Sequence, residues 1–126
     1  MMPRQDSSIL CADDEPAILS FVKRVLATGG YSVVTAADGF AALTKLNANP
    51  QRFQIVLTDL RMPRLDGFAL IERARAGGYT GEFIVIAGSL SLDDRLRLGD
   101  LRVSAIIEKP VRPGALLDAV RLTHIA

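Results

Sequence analysis

Three short apolar runs in this 126-residue chain each end abruptly in charge. Ile9-Leu10-Cys11-Ala12 runs into Asp13-Asp14, Ile55-Val56-Leu57-Thr58 into Asp59, and Ala105-Ile106-Ile107 into Glu108-Lys109. Such runs have the length and residue types of buried strands. In an open parallel sheet, ligands bind at the carboxyl ends of the strands. An acid in that position can do more than cap a loop, the usual fate of an Asp after a strand. Carboxylates brought together raise one another's pKa unless a cation intervenes. A hard cation with oxygen ligands, such as Mg²⁺, answers that need, because it binds through one or two carboxylates and keeps several waters. Asp59 would be a carboxylate nucleophile, which needs no base at neutral pH. Lys109 would offer a compact positive charge to an anionic oxygen. Taken singly, Asp13 and Asp14 read as helix caps and Lys109 as a solvated lysine. Those readings leave the convergence of all four groups unexplained.

The elements that must position these groups follow from periodicity. After the first strand, Pro16 suits the first turn of a helix and an acid before it suits the cap. Ile18, Leu19, Val22, Val25 and Leu26 recur at helical spacing until Gly29-Gly30. Ser32 to Ala36 is a second strand. Asp38-Gly39 opens a helix with Ala42, Leu43 and Leu46 inward, closed by Asn47 to Pro50. The third strand ends at Asp59. Pro63 shapes the loop behind it, and Asp66 caps a helix with Phe68, Ile71 and Ala74 on one side, stopped by Gly77-Gly78. Phe83 to Ala87 is the fourth strand. Ser91 caps a fourth helix with Asp93 and Asp94 in its first turn, where the dipole favours acids; its leucines, 92, 96, 98 and 101, share no clean stripe. Ala105 to Ile107 is the fifth strand, and Pro113 starts a last helix with Leu116, Leu117 and Val120 inward. Five strands alternating with five helices require an α/β fold, a parallel sheet with helices on both faces and right-handed crossovers.

Composition narrows the function classes. The length fits one domain spanning 1–126, with residues 1–7 polar and expected to fray. A formal net charge of +1 gives no general reason to expect nucleic acid or an anionic membrane as partner. No apolar run reaches a membrane span, and Met1 to Ser8 lacks a signal-peptide core. The single Cys11 reads as a small core residue, and with one histidine in the chain a zinc site is not expected. His124 reads as solvated, and the five phenylalanines (21, 40, 53, 68 and 83) as core or near-core. A cytoplasmic protein is expected.

Thr58-Asp59-Leu60-Arg61-Met62-Pro63, with Asp66-Gly67 behind it, closely resembles the phosphoacceptor segment of response-regulator receiver domains. Asp13-Asp14 and Lys109-Pro110 match the partners that segment demands, so the resemblance covers essentially the whole chain. It implies a flavodoxin-like doubly wound sheet of order 2-1-3-4-5 and Mg²⁺-dependent phosphorylation of Asp59 by a histidine kinase or a phosphotransfer protein in a two-component system. It implies Asp14 and Asp59 as direct Mg²⁺ ligands, Asp13 acting through water, and the backbone carbonyl of Arg61 as a further ligand. It also implies a cis Lys109-Pro110 bond. Kinase docking is expected through the first helix and the loop after strand five, around Ala17, Ile18, Phe21, Pro110 and Val111. The only catalysis expected is assistance of the domain's own aspartyl phosphorylation and dephosphorylation. The sequence closes after the fifth expected helix, so a single-domain regulator acting on an unknown downstream protein is expected.

The chain departs from the family at the switch. Where the family carries Thr or Ser at the end of strand four, Ala87 aligns, with Ser89 two residues on as a possible stand-in. Where it favours Tyr or Phe three residues before the lysine, this chain has Ile106. A degenerate receiver that binds partners without phosphorylation is therefore the alternative reading. A flavin or nucleotide binder of similar architecture would want a Ser/Thr/Gly-rich loop after strand one, where Asp13 to Pro16 repels a bare phosphate. A haloacid-dehalogenase-type phosphatase needs an Asp two residues past its nucleophile, and that place is Arg61.

Overall fold

The computed structural model describes the backbone of residues 8–125 and the side chains of residues 8–123. The expectations for residues 1–7 and for the His124 side chain lie outside those residues. Along the chain run β1 (Ser8–Ala12), α1 (Pro16–Thr28), β2 (Val33–Ala36), α2 (Gly39–Ala48), a 3₁₀ turn (Pro50–Arg52), β3 (Phe53–Asp59), α3 (Gly67–Ala76), β4 (Glu82–Ala87), α4 (Leu92–Asp100), β5 (Ala105–Glu108) and α5 (Pro113–Ile125). The five strands form one parallel sheet of order β2-β1-β3-β4-β5. This is the doubly wound, flavodoxin-like topology that the resemblance implied.

Alternation along the strands divides the core in two, because successive side chains point to opposite faces. Leu10, Ala12, Val56 and Val85 pack with Ala42 and Leu46 of α2, Phe68 and Ile71 of α3, and Leu98 of α4. Ile9, Cys11, Ile55, Leu57, Ile84 and Ile86 pack on the other face with Val22 and Leu26 of α1 and Leu116 and Val120 of α5. The inner faces read from spacing are thus those the core uses, with Ile18, Leu19, Val25, Leu43 and Leu117 only partly buried. Cys11 is buried, and burial together with the nearby charges of Asp13 and Asp59 pushes its thiol up to about 12. It acts as core, not as a reactive group.

The starts of α2, α3 and α4 follow local chemistry, and that of α1 does not. Asp38, Asp66 and Ser91 accept from the backbone N–H groups of Ala41, Ala69 and Asp94, and Ser91 with Asp94 forms a reciprocal capping box. Glu15 precedes Pro16 at the start of α1, but its side chain caps nothing; its own N–H donates to Asp13 Oδ1 at 2.9 Å. The expected cap is therefore replaced by a bond that fixes Asp13.

α4 is the least embedded helix. Leu98 is its one buried residue, whereas α3 buries five; Leu92 and Leu96 are 72% and 60% exposed. The absence of a clean stripe in its sequence is thus a property of the fold. A fully buried leucine contributes roughly 1.5–3 kcal/mol, so packing holds α4 at about one such anchor. Phe40 corrects the expectation that all five phenylalanines lie in or near the core. It is half exposed at the start of α2, and the Arg64 guanidinium stacks over its ring at 4.8 Å. Its position on the outward side of the first turn leaves that stacking as its apolar shelter.

Candidate functional site

Strand register converges the charged groups. Ala12 pairs with Thr58, so Asp13 emerges beside Asp59; Ala87 pairs with Glu108, so Lys109 emerges one residue beyond β4. One oxygen from each of Asp13, Asp14 and Asp59 lies within 4.8 Å of the others. Asp13 and Asp59 are buried and Asp14 is exposed. Asp14, Asp59, Arg61, Ala87, Ser89 and Lys109 line one open pocket of about 390 Å³, together with Glu15, Leu60 and Gly88. Of the residues expected at the site only Asp13 does not line the pocket; it is buried behind it, within reach of Asp14, Asp59 and Lys109.

The two oxygens of Asp59 are not equivalent. Oδ1 accepts from the Leu60 N–H at 2.7 Å and, at 3.4 Å, from that of Arg61. Oδ2 faces Lys109 Nζ at 3.4 Å. Lys109 also reaches Asp13 Oδ2 at 3.6 Å and Glu15 Oε1 at 3.5 Å. Burial works against the Lys109 charge, but Asp13 and Asp59 outweigh it, so the ammonium sits above its ordinary value. Asp13 is pushed up chiefly by burial; the Glu15 N–H opposes the shift, the Asp59 charge adds to it, and Lys109 offsets part of it. A buried acid so shifted in a ring of acids marks a place where further positive charge is welcome. The donor set is all oxygen, which fits a hard cation and no soft one.

Glycine makes this closeness possible. A Cβ on Gly67 would lie 2.3 Å from the Asp59 carbonyl oxygen, and the Gly67 N–H donates to the Leu60 carbonyl at 3.0 Å. The return of the loop onto β3 therefore depends on the Asp66-Gly67 pair. Lys109-Pro110 is cis, as the resemblance implied. In the expected docking region, Ala17 and Pro110 are exposed, and Ile18, Phe21 and Val111 are half buried against the α1–α5 side of the core. Glu15 as a third carboxylate on Lys109 was not foreseen, because its place before Pro16 pointed to capping. The side chains of Arg61 and Arg64 were not foreseen either. Arg61 pairs with Asp94 of α4 at 2.9 Å, and Arg64, at a φ of 70°, pairs with Asp38 at 3.5 Å. No local signal foretells contacts made to residues tens of positions away.

Neither switch position restores what the family pattern has there. Ala87 is buried and carries no hydroxyl, while its carbonyl accepts from the Lys109 N–H at 2.8 Å. Ser89 is exposed at the rim of the pocket. Ile106 is half buried and packs against the α4 side of the core.

A family model described as the response regulator receiver domain matches residues 9–121. The chain is 32% identical over 122 residues to the transcriptional regulatory protein GlrR of Escherichia coli K12, covering 94% of this chain and 26% of that protein. It is 32% identical over 118 residues to the sensor histidine kinase RcsC of Escherichia coli, covering 94% and 12%. Among solved structures, a response regulator receiver protein from Pseudomonas putida superposes with a TM-score of 0.87 at 26% identity, covering 97% and 99%. The chain thus spans about a quarter or less of the curated relatives it matches and nearly all of the receiver structure. On its sequence, its strand order and its acid-lined pocket alike, this chain belongs to the response regulator receiver domains of two-component signalling.

Proposed function

We propose that this domain is a phosphoacceptor, phosphorylated on Asp59 in a Mg²⁺-dependent reaction by a histidine kinase or a phosphotransfer protein. The observation that carries the reading is the asymmetry of Asp59, with Oδ1 tied to the backbone and Oδ2 turned to the pocket beside Lys109. Oδ2 is then the nucleophile. It forms a bond to phosphorus as the bond from phosphorus to the donor's imidazole nitrogen breaks, with that electron pair leaving on the nitrogen. Lys109, freed from part of its present ring of carboxylates, pairs with a phosphoryl oxygen. Asp13, Asp14, Asp59 and the backbone carbonyl of Arg61 would hold Mg²⁺. When bound, the ion neutralises charge between the carboxylates and the incoming group, in a reaction where positioning and screening do most of the work.

The domain turns over nothing except its own aspartyl phosphate, and it passes its state on by protein contact. Kinase docking falls to the edge around Ala17, Ile18, Phe21, Pro110 and Val111, where Ala17 and Pro110 are exposed and the other three half buried. Among the described residues no helix is long and apolar enough to cross a membrane, in keeping with our placing the domain in the cytoplasm.

Mass spectrometry after incubation with acetyl phosphate and Mg²⁺ tests this. One phosphoryl group is expected on the wild type and none on Asp59→Ala. An unchanged phosphorylated mass in Asp59→Ala sinks the assignment. A wild type that takes no phosphate from acetyl phosphate or from a cognate kinase favours the second reading, a receiver that binds its partner without phosphorylation; Ala87 in place of the hydroxyl is the observation on that side.

A further inference from the structure

The ion pairs around α4 join it to the phosphoacceptor site at two points. Arg61, two residues past Asp59, pairs with Asp94 at 2.9 Å; Arg95 pairs with Glu108, the residue before Lys109. A third pair, Arg97 with Glu72 at 3.2 Å, ties the helix to α3. With Leu98 as its one buried residue, α4 is seated by that side chain together with these contacts. Its first turn is also self-contained. The Ser91 N–H donates to Asp94 Oδ2 and the Asp94 N–H to Ser91 Oγ, each at 3.0 Å, so the helix end stays capped without Arg61.

We propose that the Arg61–Asp94 pair is the latch through which phosphorylation of this domain is reported, the phosphoryl group drawing Arg61 off Asp94 and releasing the amino end of α4. The inference rests on the phosphoacceptor reading above and deepens it. Arg61 and Lys109 are the two cations among the residues lining the pocket, and Lys109 already faces three carboxylates. Phosphorylation adds about 1.5 to 2 negative charges at Asp59. The Arg61 side chain is 65% exposed, and its planar fork suits a phosphoryl group better than a lone carboxylate oxygen. Its other contact, over the Phe68 ring at 5.9 Å, is loose, whereas Arg97 covers the same ring at 4.2 Å. Phe68 therefore keeps a cation over its ring when Arg61 leaves. A ligand shifts a conformational equilibrium only by binding one state better. Arg61 supplies that difference, since it reaches the phosphoryl group only by giving up Asp94. Ala87 and Ile106 take no part in this route.

Amide hydrogen exchange and chemical shifts, with Mg²⁺ and with or without beryllofluoride as the phosphoryl mimic, test the latch in the wild type and in Asp94→Asn. The asparagine keeps an oxygen for the Ser91 N–H and removes the charge that holds Arg61. Beryllofluoride should shift the Leu60 and Gly88 amides of the wild type and speed exchange at Leu92 to Arg95. An exposed ion pair of this kind sets the scale at roughly two- to fivefold. Asp94→Asn should show that faster exchange before beryllofluoride is added and gain little afterwards, while Leu60 and Gly88 still shift. Arg61→Gln should behave like Asp94→Asn at α4. The latch is overturned if Leu60 and Gly88 shift while α4 exchange stays constant, or if Asp94→Asn matches the wild type throughout. Absence of any shift at Leu60 and Gly88 in the wild type overturns the phosphoacceptor reading itself, and the latch with it.

Discussion

Neutralising Asp13 should stabilise the metal-free protein and weaken its response to Mg²⁺. At an effective dielectric of about 20, unit charges at the 4.8 Å bound of the cluster repel by about 3.5 kcal/mol, so Asp59 opposes Asp13 by that order. Lys109 at 3.6 Å returns about 4.6 kcal/mol on the same basis. Asp14 is exposed, and at the dielectric of water its repulsion is about 1 kcal/mol. These terms nearly cancel, which leaves the cost of burying the Asp13 charge as the surplus. The direction agrees with a carboxyl held above its ordinary value chiefly by burial. Asp13→Asn keeps an acceptor for the Glu15 N–H and leaves Lys109 with Asp59 and Glu15 as partners. A gain of about 1–2 kcal/mol is a reasonable scale for that relief, or roughly 3–8 °C in Tm for a domain of this size. The pH dependence fixes the cause. An acid whose folded pKa is raised binds its proton more tightly when folded, so wild-type stability falls as pH rises from its ordinary value through the raised one. The advantage of the asparagine should therefore be present at pH 7 and fade in acid, below the ordinary Asp range. Mg²⁺ should narrow or reverse the gap. Saturation at a hundred times Kd adds about 2.7 kcal/mol to the wild type, and a supporting residue lost typically costs ten- to a hundredfold in metal affinity. Thermal melts with EDTA and with Mg²⁺ at pH 7, and metal-free melts taken down to about pH 3, measure all of this. A variant destabilised equally under every condition would refute the reasoning and reduce Asp13 to a backbone acceptor.

Three other substitutions probe the same pocket. Gly67→Ala should cost about 1–3 kcal/mol in denaturant unfolding, because its Cβ meets the Asp59 carbonyl oxygen at 2.3 Å and the Leu60 Cα at 2.9 Å, both backbone; stability within error of wild type would mean that the loop yields without cost. Ala87→Thr should enlarge the beryllofluoride-induced amide shifts along β4 and β5, since a hydrogen bond to a charged acceptor contributes roughly 1.5–3 kcal/mol. Ser89→Ala should shrink them only if Ser89 stands in for the missing hydroxyl, and shifts unmoved by both changes would leave hydroxyl contacts out of the switch.

The parts of the site that a reader of the sequence finds are those fixed by local chemistry. Asp59, Asp13, Asp14 and Lys109 each end an apolar run, and a parallel sheet delivers the ends of its strands to one edge whatever the helices do. Asp38, Asp66 and Ser91 announce their helices because a cap and its N–H partner lie three residues apart. What stays hidden is set by distance in the chain. Phe40 looks like core until Arg64 is seen lying over it, and nothing near Glu15 tells that its carboxylate reaches a lysine 94 positions on. The leucines of α4 mislead for a related reason. Hydrophobic type foretells burial only when the helix is packed against the sheet along its length, and here Leu92 and Leu96 are 72% and 60% exposed while Leu98 alone is buried beside the charged pairs.

The substitutions at 87 and 106 and the mounting of α4 are best considered together. A switch needs an element with two positions of similar free energy and a contact that the signal alone can change. Strand β5 is a poor candidate for movement, since Ile106 is half buried against the core and lacks a polar group for solvent. The end of β4 is equally fixed, because the Ala87 carbonyl is bonded to the Lys109 backbone and its methyl group offers nothing to a phosphoryl oxygen. Around the pocket that leaves side chains reaching in from outside the sheet, and Arg61 is the one that also grips another element. Phosphate capture and its readout would then lie on the same loop, with the carbonyl of Arg61 serving the metal and its guanidinium serving the helix. Restoring Thr at 87 while removing the Asp94 charge separates the two routes. If the latch carries the signal, Ala87→Thr with Asp94→Asn should move β4 and β5 but leave α4 without further response.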